Sequence, residues 1–289
     1  MKKIKESRAA SFVAVFAVYL IAAAVGILSY LALDISFWCD LLIADAVATA
    51  VTFIFSLIFK NASVYDPYWS VQPAVILFCF ALQAEMNAAR LLLLFAVFFW
   101  AIRLTANWAY TFRGLMHQDW RYTMLAEKTG AFYPVINFIG IHMVPTLVVY
   151  ATTLPAVFAF VYDVRINVGA VIFALLSVFA AILQLIADVE MQSLRKSGKG
   201  GFIRVGLWRN SRHPNYLGEI LMWWGIGLSV LCMLPEHPYL ISGAVLNTLL
   251  FAFVSIPMAE GRQSKKEGFD EYRRQTHVLL PVRKFGKGK

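Results

Sequence analysis

Of 289 residues, 60% are hydrophobic and only 15% are charged, whereas a soluble domain carries about 25% charged residues. That balance excludes an ordinary soluble domain and leaves a polytopic membrane protein. The formal charge of +9 would point to nucleic acid in a soluble protein, but among apolar spans the positive-inside rule accounts for it.

Met1–Arg8 is a basic stub. Ala9–Leu33 follows as a first span. At 1.5 Å per residue it reaches about 37 Å, longer than a signal-peptide core and enough for a bilayer. Trp38–Phe59 is the second span, with Asp45 inside it and Asp40 near its start. Val71–Leu82 is a shorter third span and Leu91–Phe112 a fourth. Pro134–Tyr162 carries Pro145 and Pro155, so a kink or break is expected there. Val168–Val189 is the sixth span. Tyr216–Leu234 and Tyr239–Met258 form a tight hairpin about Pro235-Glu236-His237-Pro238. The pattern predicts an all-α polytopic helical bundle of seven or eight transmembrane helices.

Eight spans with the N-terminus inside place 23 of the 26 Lys and Arg residues on the cytoplasmic side. Arg90 and Arg165 fall outside, and Arg103 is left within a span. So lopsided a split predicts both termini and the 191–215 loop in the cytoplasm, in a bacterial inner membrane. Cys39, Cys79 and Cys232 sit in or beside apolar runs at unrelated spacings. They suit neither a disulfide framework nor a metal site.

A charge at mid-bilayer costs about 2.5–3.5 kcal/mol on insertion scales, so each needs a use. Arg103, Asn107 and Tyr110 stand at i, i+4 and i+7 and share one helical face. Asp188 and Glu190 end the sixth span. Asp66, in VYDPYW, reads equally as a turn in an aromatic belt and as a site residue. Asn61-Ala62-Ser63 has the form of a glycosylation acceptor, but it falls on the predicted cytoplasmic side.

The densest polar stretch is GLWRNSRHPNYLGE, Gly206 to Glu219, between two apolar runs. Arg209 and Arg212 suit bidentate contact with phosphate or carboxylate. Asn215 donates and accepts, and Trp208 and Tyr216 offer flat faces to a planar ring. The chemistry fits a large anionic, heterocyclic ligand at a membrane surface. The plainer reading is a basic loop that only sets topology.

With Asp188 and Leu194-Arg195-Lys196 upstream, this stretch resembles the C-terminal half of the steroid 5-alpha-reductase family. The tail Phe269-Asp270-Glu271-Tyr272, ending at Leu279-Leu280-Pro281, fits it too. VYDPYW, QDWRY (Gln118–Tyr122) and NFIGIHMVPTL (Asn137–Leu147) resemble a bacterial branch known only as domain of unknown function 1295. The resemblance covers roughly 63–282, leaving 1–62 as N-terminal membrane helices and 283–289 as a basic tail.

The resemblance implies an NADPH-dependent reductase of a carbon–carbon double bond conjugated to a ketone, acting on a lipophilic enone within the membrane. It implies a cofactor site made by Asp188, Arg195, Lys196, Arg212, His213, Asn215, Tyr216 and Glu219, with Tyr272 closing it from the tail. No GxGxxG follows a strand, so a dinucleotide would sit among helices. The family's early Gln-Glu pair and tyrosine, thought to polarise the ketone, are not matched here; Gln83-Ala84-Glu85 lies on the predicted outer side. Asp66, Arg103 and Tyr110 take the catalytic roles in their place. The partners implied are a lipophilic small molecule and membrane lipid, without nucleic acid or metal. A competing resemblance is to isoprenylcysteine carboxyl methyltransferases, which share an RHP-x-Y motif and use S-adenosylmethionine. The Asn215-Tyr216 pair, Glu219 and Asp188 favour the reductases.

Overall fold

The structure, a computed structural model, describes residues 2–198 and 201–282. The basic tail expected over 283–289 lies outside them, as do two residues of the 191–215 loop. After a short α1 (Lys2–Glu6), α2 (Arg8–Leu31) starts where the Ser7 hydroxyl accepts from the Ala10 N–H. That bond satisfies one of the orphan donors of a helix start. α3 (Phe37–Ile58) returns antiparallel to it. A buried turn, Ala62–Tyr65, leads into α4 (Tyr68–Ala81). Asn87 caps α5 (Ala88–Thr111), and Asp119 caps α6 (Trp120–Thr129). α7 (Tyr133–Ile136) runs through wide turns at Asn137–Met143 into α8 (Val144–Val161). Asn167 caps α9 (Val168–Lys196). α10 (Pro214–Met233) begins on a proline, whose missing N–H is no loss at that position. α11 (Ser242–Leu250), wide turns at Phe251–Ser255 and α12 (Ile256–Gln263) make the last pass. α13 (Phe269–Gln275) ends the described chain's helices. The architecture is all-helical, as its composition predicts, with no strand among the described residues.

Among the described residues, seven elements are long and apolar enough to cross a bilayer, which makes this a multi-pass membrane protein. The expected third span differs. α4 has 14 residues, about 21 Å of helix, short of the roughly 30 Å hydrocarbon core. It still carries the chain from one end of the bundle to the other. Asn61, before it, donates to the carbonyl of Leu115 at 2.7 Å, while Asn87, after it, donates to that of Val164 at 3.1 Å.

These contacts define two ends. At one, Arg8 donates to the Ala109 carbonyl at 2.9 Å and the Arg262 guanidinium lies 4.5 Å over the Trp120 ring. At the other, Tyr150 donates to the Trp38 carbonyl at 2.6 Å and Asn167 to that of Cys232 at 2.7 Å. Arg90 belongs to this second end, as its sequence position predicts. It is buried, and its donors close the last carbonyls of α8 at Ala159 and Tyr162. A cation there also meets the negative end of the helix dipole.

Of the kink or break expected at the two prolines, no break occurs: α8 includes both. Trp120–Val161 runs on as one long span, its irregularity absorbed by the wide turns before α8. Pro145 stands in the first turn of α8, where it costs little. Pro155 removes the N–H that would answer the Ala151 carbonyl. α11 packs on that carbonyl so closely that a Cβ at Gly243 would overlap it.

Candidate functional site

A cavity of about 370 Å³ opens at the cation-rich end, among α4, α5, α6, α8, α10 and the last span. Asp66 enters it from the bend between Ala62–Tyr65 and α4. One carboxylate oxygen of Asp66 accepts from the Tyr122 hydroxyl at 2.6 Å. Burial raises the Asp66 carboxyl to about 6, while the Arg121 charge and the Tyr122 hydrogen bond pull the other way. Arg121 is held by Asp119, Nε to Oδ1 at 2.8 Å. Trp69, Trp108, Trp120 and Tyr216 give the cavity aromatic walls. Tyr216 stacks on His213, rings 5.1 Å apart and 6° from parallel. Asn247 lines the same space, and its buried side-chain N–H₂ has no partner in the protein.

Glu219 forms the back wall. Its two oxygens accept from the indole N–H groups of Trp223 and Trp100, each at 2.9 Å. Behind it lies Arg103, 4.0 Å from Glu219 and 2.7 Å from Asp188, with a further bond to Gln184. Three helices are thereby pinned by one guanidinium. Arg103 and Asp188 face a second cavity of about 590 Å³ between α5 and α9, shared with Tyr110, Gln192 and Lys196. Asn107 lines both cavities.

The sequence-derived catalytic trio does not converge. Arg103, Asn107 and Tyr110 do share a helical face, but Arg103 and Tyr110 turn toward α9, away from Asp66. Tyr110 is 52% exposed, with the Lys196 ammonium 5.2 Å over its ring. The phenol beside Asp66 is Tyr122, which spacing along one helix could not have found.

The cofactor set also divides. Asp188, Lys196, Glu219 and Tyr216 reach the cavities. Asn215 has a buried carbonyl oxygen with no partner. Arg195 and Lys196 are exposed on the last turn of α9. Arg212 and His213 have another employment. Arg212 grips Glu260 through Nε at 2.8 Å and a terminal nitrogen at 3.2 Å, and donates to the carbonyls of Arg273 and Thr276. His213 Nε2 lies 2.9 Å from the same carboxylate. The backbone of 212–213 donates to the carbonyls of His277 and Val278 at 3.0 and 3.1 Å. Tyr272 donates to Trp208 O, and burial raises its hydroxyl to about 12. These three side chains strap the tail to the 206–213 turn. A guanidinium whose planar fork is so fully engaged is not presented to a phosphate.

Sequence reasoning missed Glu260 and Tyr122. A lone carboxylate closing the last apolar run, opposite a doubly cationic turn, was the available signal for Glu260. Tyr122 had only its place in a short aromatic, charged segment.

A family described as a protein of unknown function, DUF1295, matches residues 52–276. An uncharacterized protein of Schizosaccharomyces pombe is 25% identical over 227 residues, 68% of this chain and 63% of that protein. The chain therefore spans less than two thirds of that relative's length. No solved structure matches.

Proposed function

The chain belongs to the DUF1295 family, whose function is unknown, and from that premise we propose that it is a membrane-embedded, NADPH-dependent reductase of a conjugated carbon–carbon double bond in a lipophilic enone, akin to the steroid 5-alpha-reductases. The observation that carries the reading is the Asp66–Tyr122 pair, held at 2.6 Å inside an aromatic-walled cavity. A carboxyl that titrates near 6 is poised to give and regain a proton close to neutral pH.

The residues present fit a dinucleotide. Asn247 and Asn215 each hold a buried amide atom with no protein partner, suited to the amide and ribose hydroxyls of the cofactor. The four aromatic walls suit its rings, and Arg121 and Arg262 stand nearby for phosphate. NADPH, when bound, supplies the hydride. The protein's own part is to exclude water, to orient the carbonyl and to hold the proton at Asp66, with Tyr122 donating to one oxygen of that carboxyl group. Tyr122 thus takes the role first assigned to Tyr110. Arg103 acts on Glu219 and Asp188 and so positions the back wall.

The test is a set of melting curves of purified protein with NADPH, NADH and S-adenosylmethionine. NADPH at about a hundred times its dissociation constant should stabilise by about 2.7 kcal/mol, NADH less, and S-adenosylmethionine not at all. Asp66→Asn should keep the NADPH shift and lose enone reduction. A shift with S-adenosylmethionine and none with NADPH would replace this reading with the methyltransferase one.

A further inference from the structure

Asp45 takes no part in the site above. It is buried on α3, and its two oxygens accept from the Tyr68 hydroxyl at 2.9 Å and from Gln72 Nε2 at 2.7 Å. A carboxyl buried within a span is costly to keep, and as a rule a cation is paired with it. Asp45 has no such partner among the described residues. It faces a third chamber, of about 140 Å³, between α2, α3 and α4, and no Lys, Arg or His lines that chamber.

The walls are otherwise mostly apolar. The chamber is close in size to a cavity of about 150 Å³ that takes one benzene ring. Ile27 and Leu31, on its α2 side, are exposed, so it opens toward lipid. Two groups within it lack a match. One is the Asp45 charge. The other is Gln72 Oε1, buried and without a hydrogen-bond partner. With Nε2 turned to Asp45, that oxygen is an acceptor. Each Asp45 oxygen holds one donor and keeps a lone pair for another. Both groups therefore call for a ligand that brings N–H or O–H, and Asp45 calls for positive charge as well. Tyr19, Tyr30, Tyr68 and Phe80 add aromatic rings to the wall, and ring faces attract a cation.

We propose that this chamber binds a lipophilic ammonium ion, an amine carrying about one ring, whose N–H groups donate to Asp45 and to Gln72 Oε1. An alkylamine is protonated at neutral pH, as the lysine side chain is, with its pKa of about 10.4. Its charge answers the lone carboxylate, and its ring takes the apolar space beside Ala22, Gly26 and Ala48. A neutral alcohol of the same shape gives a hydrogen bond but no charge, and a ketone gives neither. The central cavity suits such a cation less, because Arg121 lines it. The site does not depend on the reductase reading.

Equilibrium binding of radiolabelled para-butylbenzylamine to the full chain in lipid nanodiscs tests this, with empty nanodiscs as the blank. The amine should bind saturably. Its uncharged counterpart, para-butylbenzyl alcohol, should need about tenfold or more higher concentration to displace it, since it leaves the buried charge unpaired. Asp45→Asn keeps the side-chain shape and removes the charge, and should weaken amine binding by about tenfold or more. If that variant fails to fold, the comparison of amine with alcohol in the wild type decides alone. Equal displacement by the alcohol, no saturable binding, or wild-type affinity in folded Asp45→Asn would overturn the proposal. So would loss of binding in Asp66→Asn with none in Asp45→Asn, which would seat the amine in the central cavity.

Discussion

Arg103 shows what a single buried charge does here. Its side chain is 4% exposed and answers Asp188, Gln184 and Glu219 on two neighbouring helices. Removing one partner of a buried ion pair strands the other, at a cost of about 3–5 kcal/mol. Arg103→Met should therefore lower unfolding stability in detergent by that order, and Arg103→Met with Asp188→Asn should recover part of it. An additive double mutant would mean that the two groups do not act on each other. Asp66 offers a second test. Its carboxyl stands at about 6, above the ordinary 3.8, because burial disfavours the charged form. The folded state thus binds this proton more tightly than the unfolded chain does. The stabilisation is complete below the ordinary value and is lost as pH rises through about 6. Between pH of about 7 and about 5, the melting temperature of the wild type should rise relative to that of Asp66→Asn. Parallel curves would remove Asp66 from the account.

At the scale of elements, α9 and α10 form the tightest pair in the bundle. Gly218 and Gly225, seven residues apart on α10, press against Gln184, Ala180, Ser177 and Phe173 of α9. A Cβ on either would overlap an α9 side chain and lie 2.7 Å from a carbonyl oxygen, that of Ala180 or Phe173. Small residues at such a seam let two backbones approach and let Ser177 donate to the Met222 carbonyl at 2.8 Å. Gly225→Ala should lower stability by about 1–3 kcal/mol, as overpacking does. Gly227, whose Cβ would meet only Ile241 at 3.9 Å, is the control and should tolerate alanine. Equal melting temperatures for the two variants would show that α9 and α10 can slide apart without cost. This seam also shapes the candidate site, because it fixes Glu219 on α10 against Asp188 on α9 through Arg103.

The whole molecule has two chemically distinct ends. Lys5, Arg8, Arg121, Arg195, Lys196, Arg262 and the strapped tail gather at one. Arg90 and Arg165 lie at the other, with the Glu236-His237 turn. The positive-inside rule predicts the cation-rich end on the cytoplasmic side, because Lys and Arg residues hold a loop there. Cysteines introduced one at a time at Lys196 and Glu236, in a background lacking Cys39, Cys79 and Cys232, should label from opposite sides of sealed vesicles. Labelling of both from the same side would overturn this topology. The central cavity opens at the same end, and its occupant would come from the compartment that Lys196 reports.

The all-helical membrane fold and the positions of its long spans were legible because they rest on local quantities. Apolar length decides insertion, and capping by Ser7, Asn87 and Asn167 is written within a few residues of each helix start. The polar island was legible as a departure from that pattern. Its use was not. Arg212 and Glu260 are 48 residues apart, and only the fold of the last pass brings that carboxylate to a guanidinium that would otherwise have faced a ligand. Asp66 and Tyr122 are 56 apart, so no period along one helix relates them. Helical spacing fixed the shared face of Arg103 and Tyr110, but which neighbour that face meets depends on how α5 is rotated against α9. Insertion and capping are set by each segment and its solvent, whereas partners for buried charge are set by packing between segments. The sequence alone therefore determined the membrane architecture, and the tertiary structure alone decided which polar groups were left for chemistry.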